Sequence, residues 1–260
     1  MPQAGQVGRA PDWTNLRARR TGGDSGPMVD LSAEMAELWA SLGLGAAGRA
    51  RAIQFVAASG GEGSSTVARE FALYAARTEG FRVWLVDLDL MGQSQAQIIA
   101  ADPERFGSLG PSAAATPDGS MFFSVQPPLK RPDGRPWPDA RYVGAHAVGG
   151  ADFWVTHFRR DAMRGRQQVR VMPTPDYWNA LRRHADLIVV DAPAAERSQA
   201  GLTVAPNMDA VVLVVAADEG DAVGPARLRD AVADAGGHCA GLFVNRVRVA
   251  APGFLSGGAR

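Results

Sequence analysis

Ile53-Gln-Phe-Val-Ala-Ala-Ser-Gly-Gly-Glu-Gly-Ser-Ser-Thr-Val67 passes from a short apolar run, through a glycine-rich turn, into helical spacing. The run Ile53 to Ala58 has the length and composition of a buried strand. Beyond the turn, Val67, Phe71, Tyr74 and Ala75 fall on one face of a helix over Ser65 to Thr78. The same alternation continues outward from there. Phe81-Arg-Val-Trp-Leu-Val86 ends at Asp87, Val169-Arg-Val-Met172 comes much later, and Leu187-Ile-Val-Val190 ends at Asp191. Ala210-Val-Val-Leu-Val-Val215 and Ala240-Gly-Leu-Phe-Val244 close the series, with helical spacing over Pro225 to Ala235 between them. Near-continuous Val, Ile and Leu runs separated by helices predict a mostly parallel sheet buried under helices on both faces, an α/β class. In such sheets ligands bind beyond the carboxyl ends of the strands. The glycine-rich turn, Asp87, Asp89, Asp191 and Asn245 stand at those ends.

The remaining sequence sets bounds. A chain of 260 residues suits one large domain with appendages. Its 27 Lys and Arg balance 27 Asp and Glu, which argues against a nucleic-acid partner. The single cysteine, Cys239, excludes an internal disulfide framework and a Cys-rich zinc site. It precedes a strand and reads as a buried thiol. The longest apolar run, Ala210 to Ala217, is too short to span a bilayer, and the N-terminus shows no secretory pattern. A cytoplasmic protein is expected. Residues 1–30, rich in Gly, Pro, Arg and Asp, read as a flexible arm; 31–250 read as a single domain and 251–260 as a tail. Leu31, Met35, Leu38, Trp39 and Leu42 predict a helix, with Ser32 as its N-cap and Gly43 and Gly45 as its end. The stretch from about 103 to 166 breaks the rhythm. Prolines crowd its first half, and it carries Phe122, Phe123, Trp137, Tyr142, Phe153 and Trp154. It reads as a long insert, functional or mobile, whose aromatics argue against pure disorder.

Ser59-Gly-Gly-Glu-Gly-Ser-Ser-Thr66, between strand and helix, fits a phosphate-binding loop, in which glycines let backbone N–H groups converge on an anion at a helix N-terminus. Against the pattern G-x-x-x-x-G-K-[ST], Ala58 stands at the first glycine, Gly63 at the second, Ser64 at the lysine and Ser65 at the magnesium-binding hydroxyl. The lysine is missing, and Lys130, in the insert, is the chain's one lysine. Asp87, Asp89 and Asp191, at strand ends, are suited to hold Mg²⁺ and to orient a nucleophile.

With those residues in view, the chain resembles the bacterial tyrosine kinases and, beyond them, the deviant P-loop group of septum-positioning and partition ATPases. Gly61-Glu-Gly-Ser-Ser-Thr-Val67 is similar to the kinases' G-E-G-K-S-T-V. Val86-Asp-Leu-Asp-Leu90 is similar to their second Walker motif, and Ile188-Val-Val-Asp-Ala-Pro193 to their Walker B. The resemblance implies a P-loop NTPase-like fold and, as cofactor, ATP or ADP with Mg²⁺. It places Gly60, Gly61, Glu62, Gly63, Ser64, Ser65 and Thr66 at the phosphates, Asn245 and Arg246 near the base, and Ser65, Asp89 and Asp191 around Mg²⁺. Asp87, Asp89 and Asp191 would be the catalytic carboxylates. It also implies a membrane polysaccharide co-polymerase, a chain-length protein, as partner, membrane association through it, and a place in exopolysaccharide or capsule export; it allows a homo-oligomer. The departures point to a non-catalytic or regulatory relative. Ser64 replaces the lysine. Glu34-x-x-Glu37-x-x-Ala40 stands where the kinases carry E-x-x-R-x-x-R, and no tyrosine follows Tyr177. Two alternatives remain open at this stage: an active tyrosine kinase or partition-like ATPase with a replacement cation, from Lys130 or a neighbouring subunit's arginine, and a module for another phosphate ligand. The four histidines have no metal-ligand spacing, and Arg159, Arg160, Arg164 and Arg166 read as a basic, mostly solvated face.

Overall fold

The computed structural model describes residues 16–19, 30–46, 48–92, 95–218 and 222–247. Its strands are β1 (Leu16–Arg19), β2 (Arg51–Ala57), β3 (Val83–Asp87), β4 (Leu109–Ala114), β5 (Phe123–Gln126), β6 (Val143–Val148), β7 (Phe153–Phe158), β8 (Gln168–Val171), β9 (Leu187–Asp191), β10 (Ala210–Ala216) and β11 (Cys239–Val247). Its α-helices are α1 (Ser32–Ser41), α2 (Ser64–Arg77), α3 (Gln95–Ala101), α4 (Pro103–Phe106), α5 (Asp176–Arg182), α6 (Ala200–Val204) and α7 (Val223–Asp234). Nine strands form one sheet in the order β1-β11-β10-β2-β9-β3-β7-β6-β4. The pairs from β1 through β7 are parallel, and β6 and β4 close the edge antiparallel.

Alternation along the buried strands builds two cores. Ile53 and Phe55 of β2 join Met35, Trp39, Val67 and Phe71 of α1 and α2 on one face. Ala52 and Val56 join Trp178, Leu181, Val204 and Leu228 of α5, α6 and α7 on the other. Helices therefore cover both faces, as the apolar runs predict. Among the described residues no helix is long and apolar enough to cross a membrane.

Four readings change. Ser32 is the first residue of α1, not its cap; the carboxylate of Asp30 instead accepts the Ser32 N–H at 3.0 Å and its hydroxyl at 2.7 Å. Gly43, with φ 63°, does end the helix in the left-handed region. Val169–Met172 does not join the central sheet: β8 pairs antiparallel with β5 in a separate ribbon, because the neighbour of β3 is β7. The stretch 103–166 is not a loop; β4, β6 and β7 extend the sheet, and β5 contributes Phe123 and Val125 to the second core. In the expected arm, Leu16–Arg19 form a strand along β11. The rest of 1–29 and the tail 251–260 lie outside the described residues.

Candidate functional site

β2 runs into the turn Ala58–Gly63, and α2 starts at Ser64. Gly61 and Gly63, at φ 90° and 92°, take backbone conformations that side chains disfavour, and Gly63 caps α2. A Cβ on Gly63 would strike the side-chain amide of Asn245. That amide, from the end of β11, donates to Glu62 O at 2.9 Å. Arg246, a non-glycine residue at φ 57°, donates to Gly61 O and lies 3.7 Å from Asp218. The loop, Asn245 and Arg246 are thus assembled in one place. Thr66 is helical, its N–H bonded to Gly63 O at 3.0 Å, and Ser64 is buried at the first turn.

The parallel register sets Asp87 beside Asp191. Ser65 Oγ donates to one oxygen of Asp191 at 3.0 Å, and Gln95 Nε2 to the other at 2.5 Å. Gln95 Nε2 also reaches Ser65 O at 2.9 Å, while its Oε1 accepts from Arg69 Nη1 at 2.9 Å. Asp87 accepts the N–H groups of Asp89 and Gln95 at 2.9 and 2.8 Å, and its own N–H donates to Thr156 Oγ1 at 3.0 Å. Burial pushes the Asp191 carboxyl up to about 6, against the pull of Gln95, Ser65 and Arg69. Burial also lifts Asp87 well above the usual carboxylate range, and the neighbouring Asp191 charge adds to the rise. Burial lowers the Arg69 guanidinium, which stacks 5.3 Å from the Phe106 ring centroid. Asp89, outside this buried group, pairs with Arg197.

Two carboxylates bond the turn between β2 and α2. Glu62 Oε2 accepts the Ser59 N–H at 2.8 Å, and Glu196 Oε1 accepts the Gly60 N–H at 2.6 Å. Glu62 is buried at 5% exposure. Lys130 bridges to Pro136 within its own hairpin. Cations around the loop and the carboxylates include Arg69, Arg197 and Arg246, and Arg160, which lines a small cavity with Asp87 and Asp89.

Ser65, Asp89 and Asp191 offer the hard oxygen donors that suit Mg²⁺. No group of three or more His, Cys, Asp or Glu among the described residues is arranged to hold a metal unaided. A Mg²⁺ here would draw its remaining ligands from water and a nucleotide. A cleft of about 740 Å³ adjoins the site at Asp89 and is walled by Val169–Val171, Leu88–Gly92 and Arg197–Ala200. His146 and His157 face each other across β6 and β7, ring centroids 6.2 Å apart, and Nδ1 of His146 bonds Gly110 O at 2.9 Å. Cys239 is half-buried, which raises its thiol.

The chain superposes on the kinase domain of the Escherichia coli tyrosine kinase ETK with a TM-score of 0.57 at 15% identity, over 85% of this chain and 77% of that one. The fold is that of the bacterial tyrosine kinase domains. The VpsO kinase domain gives a TM-score of 0.51 at 16% identity, covering 83% of this chain and 96% of that one. The cell division ATPase MinD of Pyrococcus furiosus gives 0.51 at 17% identity, covering 75% and 72%. No family model and no curated protein sequence matches the chain. With the P-loop fold in place, the residues that sequence reading misses become plain. Gln95, Arg69, Thr156, Glu196 and Arg197 all contact the site. Glu196 and Arg197 lie just beyond the Walker-like Asp191-Ala-Pro193, and that proximity is the one signal that could have found them.

Proposed function

We propose that this protein is a non-catalytic relative of the bacterial tyrosine kinases, an accessory subunit whose partner is a membrane polysaccharide co-polymerase. One observation carries the reading: the charge of the phosphate loop is inverted. A phosphate loop ordinarily presents a lysine to the β- and γ-phosphates. Here the lysine position is Ser64, and Glu196 places a carboxylate on the Gly60 N–H; Glu62, on the Ser59 N–H, matches the glutamate of the kinases' own G-E-G-K-S-T-V and does not separate the two. A triphosphate entering the loop would meet the added Glu196 carboxylate and no lysine. The loss of a buried charged contact alone costs about 2–5 kcal/mol, or roughly 30- to 4,000-fold in affinity. The missing arginine pair around Glu34 supports the same reading.

A second reading, an active ATP-binding kinase or ATPase, is favoured by Ser65, Asp87, Asp89 and Asp191, which stand together, and by Arg246 at the loop. Calorimetric titration with ADP and Mg²⁺, of the wild type and of Ser64→Lys, separates the two. No heat from the wild type and binding by Ser64→Lys is the expected result. Micromolar binding by the wild type would overturn the non-catalytic reading and make Arg246 the replacement cation to test.

A further inference from the structure

Between β5 and β6 the chain leaves the sheet as a tight hairpin. Trp137 N–H donates to Leu129 O at 2.7 Å, Lys130 bridges to Pro136, and Arg131 N–H donates to Arg135 O at 2.7 Å. Gly134, at φ 82°, makes the tip, and the Asp133 carboxylate caps it on the Arg135 N–H at 3.0 Å. Pro127, Pro128, Pro132, Pro136 and Pro138 stiffen its arms. Its base is tied down: Gln167 Nε2 donates to Pro127 O at 2.8 Å, and Gln167 Oε1 accepts the Arg164 N–H at 2.8 Å. The turn carrying Arg164 and Arg166 therefore lies beside the hairpin.

This surface is rich in basic residues. The chain is neutral overall. The hairpin, the segment up to Arg141 and the adjoining turn carry Lys130, Arg131, Arg135, Arg141, Arg164 and Arg166, against the acids Asp133, Asp139 and Asp161. Two of those acids are committed to backbone N–H groups, Asp133 to Arg135 and Asp139 to Val125. Elsewhere several arginines pair with acids, as Arg82 does with Asp186, Arg105 with Glu70 and Arg182 with Asp209, and others are held by carbonyls or hydroxyls, as Arg77 is by Phe106 O and Arg159 by Ser112 Oγ. Among the described residues, none of the six cations on this surface has an acidic partner within 4.0 Å. Trp137, 40% exposed, stands among them, with the guanidinium groups of Arg131 and Arg141 4.9 and 4.8 Å from its ring centroid.

We infer that this hairpin and the adjoining Arg164–Arg166 turn bind an anionic membrane surface directly. Unpaired cations next to a half-exposed indole are the pairing that membrane interfaces select: the cations meet the lipid phosphates and carboxylates, and the indole sits at the headgroup level. An exposed hairpin tip stiffened by proline suits a broad lipid surface better than a protein pocket. Single-stranded nucleic acid needs an open aromatic face for base stacking, and guanidinium groups already lie over this ring. The inference does not rest on the state of the phosphate loop, so nucleotide titration and lipid binding stand or fall separately.

The test is co-sedimentation of the full chain with vesicles of phosphatidylcholine alone and of phosphatidylcholine with phosphatidylserine. Binding is expected only to the second, and salt should weaken it. At about fivefold per basic residue near such a surface, Lys130→Ser/Arg135→Ser/Arg166→Ser should lose roughly a hundredfold. Trp137→Ser should weaken binding without removing a charge. Both variants alter exposed side chains, and an unchanged thermal midpoint shows that they fold. Should Trp137→Ser disturb the hairpin, Arg166→Ser, outside it, carries the test alone. Equal binding to both vesicle types, or none to either at low salt, would overturn the inference. So would a duplex DNA bound as tightly as the anionic vesicles and indifferent to Trp137→Ser.

Discussion

Glu196→Ala, made in the Ser64→Lys background, tests the inverted charge at its source. In the structure the Glu196 carboxylate lies 2.6 Å from the Gly60 nitrogen, and its side chain is otherwise exposed. Freeing that N–H for a phosphate means breaking a charge-assisted hydrogen bond, worth about 1.5 kcal/mol at the low, exposed end of its range. A carboxylate about 5 Å from a phosphate group adds roughly 1 kcal/mol of repulsion in a water-like dielectric. Together these predict that removing the Glu196 side chain tightens nucleotide binding by about 2–3 kcal/mol, or roughly 30- to 150-fold in Kd. Glu196→Gln removes the charge and keeps an acceptor, so it should recover less than half of that gain. The assay is calorimetric titration of ADP with Mg²⁺ at fixed ionic strength; salt should erode the repulsive part and spare the hydrogen-bond part. If Glu196→Ala leaves the affinity unchanged or weakens it, the carboxylate is no obstacle, and the reasoning from loop charge fails.

Two further outcomes follow from the packing. Asp209 accepts the Ala52 N–H at 2.7 Å and pairs with Arg182 and Arg49 at 3.0 Å each, so Asp209→Asn should cost about 2–3 kcal/mol and lower Tm by roughly 4–10 °C. Burial alone would raise this carboxyl, but the Ala52 N–H and the two arginines outweigh it and hold it low. Its contribution is therefore present above the unfolded value near pH 3.9 and lost as pH falls through the folded one, and the gap between wild type and variant should close in acid denaturation curves. Gln95→Leu strips a partner from both Asp191 and Arg69, and chemical denaturation should show a loss of about 2–4 kcal/mol. A loss under about 1 kcal/mol would mean that water replaces the amide.

The parts of the fold legible in sequence are those whose signal is local. β2, β9 and β10 are runs of Val, Ile and Leu buried on both sides, and such runs announce themselves. β6 and β7 do not, because Val143-Gly-Ala-His-Ala-Val148 is made of small residues beside a proline-dense stretch, and its pairing with Phe153–Phe158 is decided across the sheet. Val169–Met172 shows the converse error: a short alternating run states that it is a strand but not which strand it joins. At the site, Asp87, Asp89, Asp191 and Ser65 are visible because each closes an apolar run or opens a helix. Gln95 and Arg69 are invisible for an equally physical reason. An amide eight residues past Asp87 and an arginine one turn into α2 look like surface residues until the chain folds them against Asp191.

That buried network explains how the geometry can persist without the lysine. Two neighbouring carboxyls at adjacent strand ends need compensation, since burial disfavours their charged forms. A nucleotide-binding relative draws much of it from outside, through Mg²⁺ bridging to phosphate. Here the chain draws it from within. Gln95 occupies one oxygen of Asp191 and passes Arg69 to it at second hand, and Ser65 occupies the other. Asp87 is satisfied by two backbone N–H groups, Asp89 by Arg197, and the loop's first amides by Glu62 and Glu196. Each carboxylate at the site thus accepts a hydrogen bond from the same polypeptide, and burial still holds Asp87 and Asp191 above the usual carboxylate range. Asn245 and Arg246 hold the turn from the other side, through Glu62 O and Gly61 O, so its shape is set by contacts within the chain even with serine at position 64.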